Sequence, residues 1–133
     1  MEEVNKLQIA ICSNNHDLNS QVDERFGRCA YFVVVDETGN LVKAMSNSSL
    51  NSPQGAGIAA AQLLINNQVD TVLTGRMGPK AMKPLQAAGI DIYTGISGTV
   101  EQTLDLFLKG SLTQLETANS PKHGGPLPAE GRA

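Results

Sequence analysis

From Gly57 onward the chain switches repeatedly between two periodicities, and that switching restricts the fold more than any other feature. "IAAAQLLINN" puts Ile58, Ala61 and Ile65, with Leu64 beside them, on one helical face. "VDTVLTG" is short, apolar and β-rich, reads as a buried strand, and leaves through a glycine. "GPKAMKPLQAAG" reads as a helix with Pro79 at its first position and Gly89 as its stop. "IDIYTG" is the last strand. "TVEQTLDLFLKG" is a third helix, opened by a capping box of Thr99 with Gln102 and closed by Gly110. Strands separated by helices in this rhythm lie parallel and connect by right-handed crossovers. Pro84 disturbs the pattern: inside a helix it removes a hydrogen bond at a cost of about 3 kcal/mol, so that helix should kink or let its first turn stand apart.

Upstream the rhythm is different. "LQIAIC" (7–12) reads as a strand, and "CAYFVVVD" and "LVKAM" as two more, joined by "ETGN" in a hairpin turn. "SNSSLNSPQGAG" is loop by composition. The order is β-β-β-α-β-α-β-α, an α/β fold with a mixed five-stranded sheet and helices on both faces. Its length of 133 residues suits one domain, taken as residues 6–115. The tail, 116–133, is rich in proline and glycine with little to bury, and is expected to be flexible and disordered, with His123 solvated.

Ten basic residues against 13 acidic ones argue against nucleic acid, which needs a basic stripe, but leave room for a local anion site. No window is long and apolar enough for a membrane span, and "MEEVNKLQIAIC" does not have the pattern of a signal peptide. Two cysteines are too few for a disulfide scaffold, which points to a cytoplasmic protein with reduced thiols.

Between the first two strands runs "SNNHDLNSQVDERFGR", longer than most connections and ending in a concentration of charge. It joins two other glycine-bearing loops, "TGRMGP" and "TGISGT", at the carboxyl ends of strands, where open α/β sheets bind ligands. Helices starting there offer free N–H groups and partial positive charge. Gly75, Gly78, Gly95 and Gly98 would let backbone approach a ligand, and Arg25, Arg28 and Arg76 would add side-chain charge. The plainer alternative is that these glycines only make tight turns.

Cys12 ends a strand, His16 follows it, and Cys29 begins the next, so all three could reach one end of the sheet. Thiolate and imidazole suit soft metals and iron–sulfur species, which makes Cys29 and His16 candidate metal ligands. Neither a CxxC nor a paired HxxxH supports them, and a lone cysteine such as Cys12 is more often a small buried hydrophobe. Asp23 and Glu24 are adjacent and diverge, a poor general acid–base pair; nothing nominates an oxyanion hole for a Cys–His nucleophile.

"VDERFGRCAYFVVVD" and "GAGIAAAQLL…VDTVLTGRMGPKAMKPLQAAGIDIYTGISGTVEQTLDLFLKGSL" resemble the dinitrogenase iron–molybdenum cofactor biosynthesis family over residues 6–115. That family includes NifX-type carriers, the C-terminal domain of NifB-type proteins and small stand-alone relatives. The resemblance implies a ribonuclease H-like fold and binding of an anionic metal–sulfur species. By motif it carries over Phe26, Gly27 and Arg28 (the FGR element), Gly75, Gly78 and Pro79 (the TG-x-x-GP turn), and Gly95, Gly98 and Thr99 (the final turn). It does not carry over a ligand role for Cys29, and Pro84 departs from it. A nuclease of that fold would need an acid on its first strand, and "LQIAIC" has none.

The resulting expectation is a non-enzymatic carrier of an anionic iron–sulfur or molybdenum–iron–sulfur cluster or cofactor precursor, nitrogen fixation-related in family, with a cluster donor or acceptor protein as partner. The alternative is a small-anion sensor or protein-interaction module using the same crevice. A low-activity enzyme is the third reading, without a convincing base or nucleophile.

Overall fold

The computed structural model describes residues 7–48 and 55–119. At its centre is β1 (Ile9–Ser13), buried along its whole length. It pairs antiparallel with β2 (Tyr31–Val35) and parallel with β4 (Thr71–Leu73). A strand flanked on both edges and covered on both faces has no solvent side, which is why "IAIC" and "VVV" show no polar alternation. Outside β2 lies β3 (Leu41–Ser46), antiparallel to it, and outside β4 lies β5 (Asp91–Thr94), parallel to it, with β6 (Thr113–Gln114) at the far edge. The sheet order is β3-β2-β1-β4-β5-β6.

The count of strands is therefore six, not five. β6 runs antiparallel to β5, with Tyr93 opposite Gln114 and Thr94 opposite Thr113. Two exposed polar residues offer no periodicity to read; backbone pairing alone makes this strand. Residues 116–119, assigned to the tail, continue along the body: Gln86 Nε2 donates to the Glu116 carbonyl (3.1 Å) and Ala118 packs against the core. The rest of the tail, His123 included, lies outside the described residues, as do 49–54 of the loop after β3.

Strand alternation sorts the core into two layers. Ala10, Cys12, Phe32, Val34, Val72 and Ile92 face α1 (Ala56–Asn66) and α2 (Pro79–Ala87). Ile9, Ile11, Val33, Val35 and Leu73 face α3 (Val100–Leu108) through Val100 and Leu104. Fully buried Leu64 and Leu85 each contribute about 2 kcal/mol by leaving water. The buried stripe of α1 is Ala60, Ala61 and Leu64, displaced from the Ile58–Ile65 line by one residue. Small residues there allow the two helices close together: a Cβ on Gly57 would sit 3.4 Å from that of Ala81. Pro84 stays inside one continuous α2, at a half-buried position, and its first turn does not stand apart. The bond lost is the one to the carbonyl of Lys80, an exposed residue that water can serve. Gly89 (φ +81°) and Gly110 (φ +76°) follow α2 and α3 as stops.

Candidate functional site

After β1 the chain doubles back on itself. Ser13 bridges Val22, Asn14 N–H donates to the Gln21 carbonyl (2.9 Å), and Asp23 N–H to the Cys12 carbonyl (3.0 Å). This places Asp23, only 9% exposed, beneath Arg25. Its carboxylate accepts from Arg25 N–H (2.9 Å), Nε (3.1 Å) and Nη2 (3.0 Å). The guanidinium holds the Asp23 carboxyl below its usual range, with burial opposing. Arg25 is thereby fixed in direction while remaining exposed.

Phe26–Arg28 forms a single 3-10 turn. The Phe26 ring is the anchor, buried and tilted against Phe32 with centroids 5.4 Å apart. With that ring inside, Arg28 points out, and it makes no ion pair among the described residues. The turn is stitched to the β4–α2 loop: Arg76 N–H donates to the Glu24 carbonyl (2.6 Å) and Phe26 N–H to the Arg76 carbonyl (3.2 Å). Two glycines make the seam possible. A Cβ on Gly75 would lie 2.6 Å from Glu24 Cβ, and one on Gly27 would lie 2.8 Å from Gly57 N.

The result is a cleft of about 450 Å³. Arg25, Phe26, Gly27 and Arg28 wall one side, Ala56 and Gly57 at the start of α1 another, and Arg76, Met77, Gly78 and Ala81 at the start of α2 a third. Neither helix has a side-chain N-cap; the cap residues are Gly55 and Gly78. Among the described residues nothing caps their first-turn N–H groups, and these helix starts with their positive dipole ends line the cleft together with three guanidiniums. Among the described residues no carboxylate lines it: Glu24 sits 3.7 Å from Arg76 and, like Asp23, lies in an adjoining depression of about 320 Å³. The charge and the helix starts of this arrangement suit an anion.

Gly95, Gly98 and Thr99 do not join this cleft. They belong to the opposite face, where the start of α3 is closed by its own chain. Thr99 Oγ1 accepts from Gln102 N–H (3.1 Å) and Gln102 Oε1 from Thr99 N–H (2.9 Å). Val100 and Glu101 N–H groups donate to the carbonyls of Ser20 (2.9 Å) and Leu18 (3.0 Å). Those are the donors an anion would need. The hollow running along α3 from Gly98 is larger, about 620 Å³, but Glu101 and Asp105 line it and, among the described residues, no cation does. Size and chemistry disagree here, and the charge decides for the arginine cleft.

The candidate metal ligands are also separated. Cys29 lies before β2 rather than in it, fully buried, with Sγ 3.4 Å from the Phe26 carbonyl and no surface on the cleft. Cys12 is equally buried and donates to Thr74 Oγ1 (3.4 Å); burial, and then the neighbouring Cys29, push its thiol up, away from the thiolate that metals prefer. His16 is exposed, 3.2 Å from Asp17 Oδ1 and edge-on to the Tyr31 ring. Tyr31 pairs with Ser13 and Phe32 with Cys12, so by strand alternation His16 rests on the α3 side and the thiols on the other. Among the described residues no three His, Cys, Asp or Glu side chains converge. Sequence reasoning missed Ala56, Gly57, Met77 and Ala81. The available signal was a helix opening on "GAGI" with no Ser, Thr, Asp or Asn immediately before it.

Residues 6–110 match the model of the family described as dinitrogenase iron-molybdenum cofactor. The chain belongs to that family. An uncharacterised family-sized relative from Methanocaldococcus jannaschii is 30% identical over 101 residues, 74% of this chain and 86% of its own. The apo form of the orange protein from Desulfovibrio gigas superposes with a TM-score of 0.81 at 38% identity, covering 89% of this chain and all of that one. A Thermotoga protein named as a candidate NifB follows, with a TM-score of 0.72 at 34% identity over 84% of this chain and 95% of its own. In this member of the dinitrogenase cofactor family, the FGR and TG-x-x-GP motifs are the two lips of one cleft. No described helix is long and apolar enough to cross a membrane.

Proposed function

We propose that this protein is a non-enzymatic carrier that holds an anionic metal–sulfur cluster or cofactor precursor, iron–sulfur or iron–molybdenum in type, in the arginine-lined cleft. The observation that carries this reading is the convergence of two uncapped helix starts with Arg25, Arg28 and Arg76, and no carboxylate, on one hollow. Among the described residues the wall offers N–H donors and positive charge but no thiolate, imidazole or carboxylate. It therefore suits a cargo whose metal already carries its sulfide ligands and whose outer atoms accept hydrogen bonds. Phe26, Met77 and Ala81 supply the apolar floor that soft sulfur surfaces favour. Such grip without coordination is what a carrier requires, because the cargo leaves without breaking a metal–protein bond. A donor or acceptor protein would approach the same open side. We read the sheet as ribonuclease H-like in type, without the first-strand carboxylate that a nuclease needs: Ile9–Ser13 carries none.

The test is anaerobic incubation with tetrathiomolybdate and, separately, with iron and sulfide, followed by desalting, metal analysis and absorption spectroscopy. Stoichiometric retention with charge-transfer bands is expected, lost in the Arg28→Ala, Arg76→Ala double variant and kept in His16→Ala. Loss in His16→Ala with retention in the double variant would move the site to the 14–16 loop. If neither species is retained while a small organic anion is, the protein is a sensor or interaction module instead.

A further inference from the structure

Asn119 stands more than forty residues from the β4–α2 turn in sequence, yet its backbone and side chain together make three hydrogen bonds to that turn. Its Nδ2 donates to the Gly75 carbonyl (2.9 Å), its Oδ1 accepts from Met77 N–H (2.8 Å), and its own N–H donates to the Met77 carbonyl (3.2 Å). Between those two residues sits Arg76, whose N–H and carbonyl are taken by Glu24 and Phe26. From the Gly75 carbonyl to the Met77 carbonyl every backbone group is thus satisfied, Thr94 Oγ1 adding a second donor to Gly75 (2.6 Å). Asn119 reaches the turn along a strap: β6 pairs with β5, Leu115 N–H donates to the Ile92 carbonyl (2.7 Å), and Ala118 seats on the core. At neutral pH a carboxamide offers one donor and one acceptor side by side, as the two ends of this turn demand, where an ionised carboxylate would only accept.

We infer that Asn119 is a positioning residue of the anion cleft, acting through Arg76: it fixes the turn from which the Arg76 guanidinium projects into the cleft. The inference rests on the proposed anion site and names the element that sets its geometry. A guanidinium 63% exposed, with a single 3.7 Å contact to an equally exposed Glu24, gains little direction from its surroundings, so its placement depends on how firmly its backbone is held. The strap that follows α3 thereby couples the end of the domain to the cargo site.

A double-mutant cycle tests this, with tetrathiomolybdate and inorganic sulfate as separate probes, titrated well below the unfolding temperature. Asn119→Leu, which keeps size but loses both side-chain bonds, should weaken anion affinity by about tenfold in the native background. In an Arg76→Ala background the same change should leave affinity within about twofold. Asn119→Asp keeps the acceptor for Met77 N–H but sets an anionic oxygen against the Gly75 carbonyl and adds negative charge beside the cleft, so its loss should be at least as large as that of Asn119→Leu. A lowered Tm with unchanged affinity, or an equal loss in both backgrounds, would make Asn119 a structural anchor only and overturn the inference. Should the wild type bind sulfate but not tetrathiomolybdate, the carrier reading fails while the sulfate cycle still decides the role of Asn119. Indifference to both anions overturns the two together.

Discussion

"TGRMGP" after β4 and "TGISGT" after β5 share their glycine spacing and both lead into helices, but they reach opposite states. In the second, Gly95 (φ +104°) and Gly98 (φ +77°) are required by backbone conformation, Ile96 turns into the core, and Thr99 caps the helix it opens. In the first, neither glycine has a positive φ; Gly75 is there because Glu24 backbone passes too close for a Cβ, and Arg76 takes the exposed position that Ile96 cannot. Pro79 replaces the capping threonine and brings no side-chain acceptor. The α3 start spends its first-turn donors on its own chain; at the α2 start the N–H groups of Arg76 and Met77 are taken by Glu24 and Asn119, but among the described residues nothing caps the helix that follows. A glycine pattern alone marks a turn; what stands at the two positions between the glycines, and just after them, decides whether the turn can bind.

The largest effect that separates the two is steric. Gly75→Ala would push a methyl group into Glu24 Cα (2.8 Å) and its carbonyl oxygen (2.9 Å), and backbone has to move. The expected loss is about 3 kcal/mol, with anion retention abolished because Arg25 and Arg76 part company. Gly98→Ala meets the end of the Gln102 side chain, which can swing away only by giving up its bond to Thr99 N–H, and adds the cost of a left-handed φ, about 2 kcal/mol together with no backbone displaced. Its anion affinity should equal the wild type's. Urea midpoints and anion titration of the two variants make the check; equal stability losses would mean the seam at Gly75 yields more easily than the contacts indicate.

Much of this was legible before any coordinates. The alternation after Gly57 gave the parallel half of the sheet, and stop glycines and the capping box gave helix ends to within a residue or two. The arginines and the FGR and TG-x-x-GP glycines were legible as motifs, and local physics explains why: turn chemistry and charge are written in neighbouring residues. What escaped depends on distant partners. β6 is two polar residues that become a strand only because β5 offers an edge. Asn119 carries no local mark at all. Grouping Gly98 and Thr99 with the arginines failed because both βα turns lie at the same end of the sheet; only the side on which each helix packs separates them. His16 and Cys29 were split by the same fact one level down, the alternation of β1 and β2.

The smaller tests separate charge from capping. Thr99→Ala deletes the capping box and should cost about 1 kcal/mol with no change in anion affinity. Arg28→Ala should do the reverse, leaving Tm in place and weakening anion affinity by about tenfold, more at low salt than at high. If Thr99→Ala weakened anion binding as much as Arg28→Ala, the two helix starts would share a site and the distinction would collapse.

The finest distinction is in pH. Asp23 holds Arg25 at the lip of the cleft, and Arg25 holds its carboxyl below the usual carboxylate range. A folded-state value below the unfolded one, about 3.9, means that the unfolded chain binds the proton first as acid is added. The stabilisation is therefore complete above that value and disappears as pH falls through the lower folded value. Asp23→Asn should be less stable than wild type by a constant margin from pH 7 to about pH 5, and the margin should close below about pH 4. The capping box of α3 contains no titrating group, so the deficit of Thr99→Ala should stay flat over the same range. Parallel urea titrations at each pH would show the two deficits diverge in acid. A margin for Asp23→Asn that did not narrow in acid would mean that the deficit comes from the geometry of the substituted amide and not from the carboxylate's charge, and that the ion pair is not what holds Arg25 at this lip.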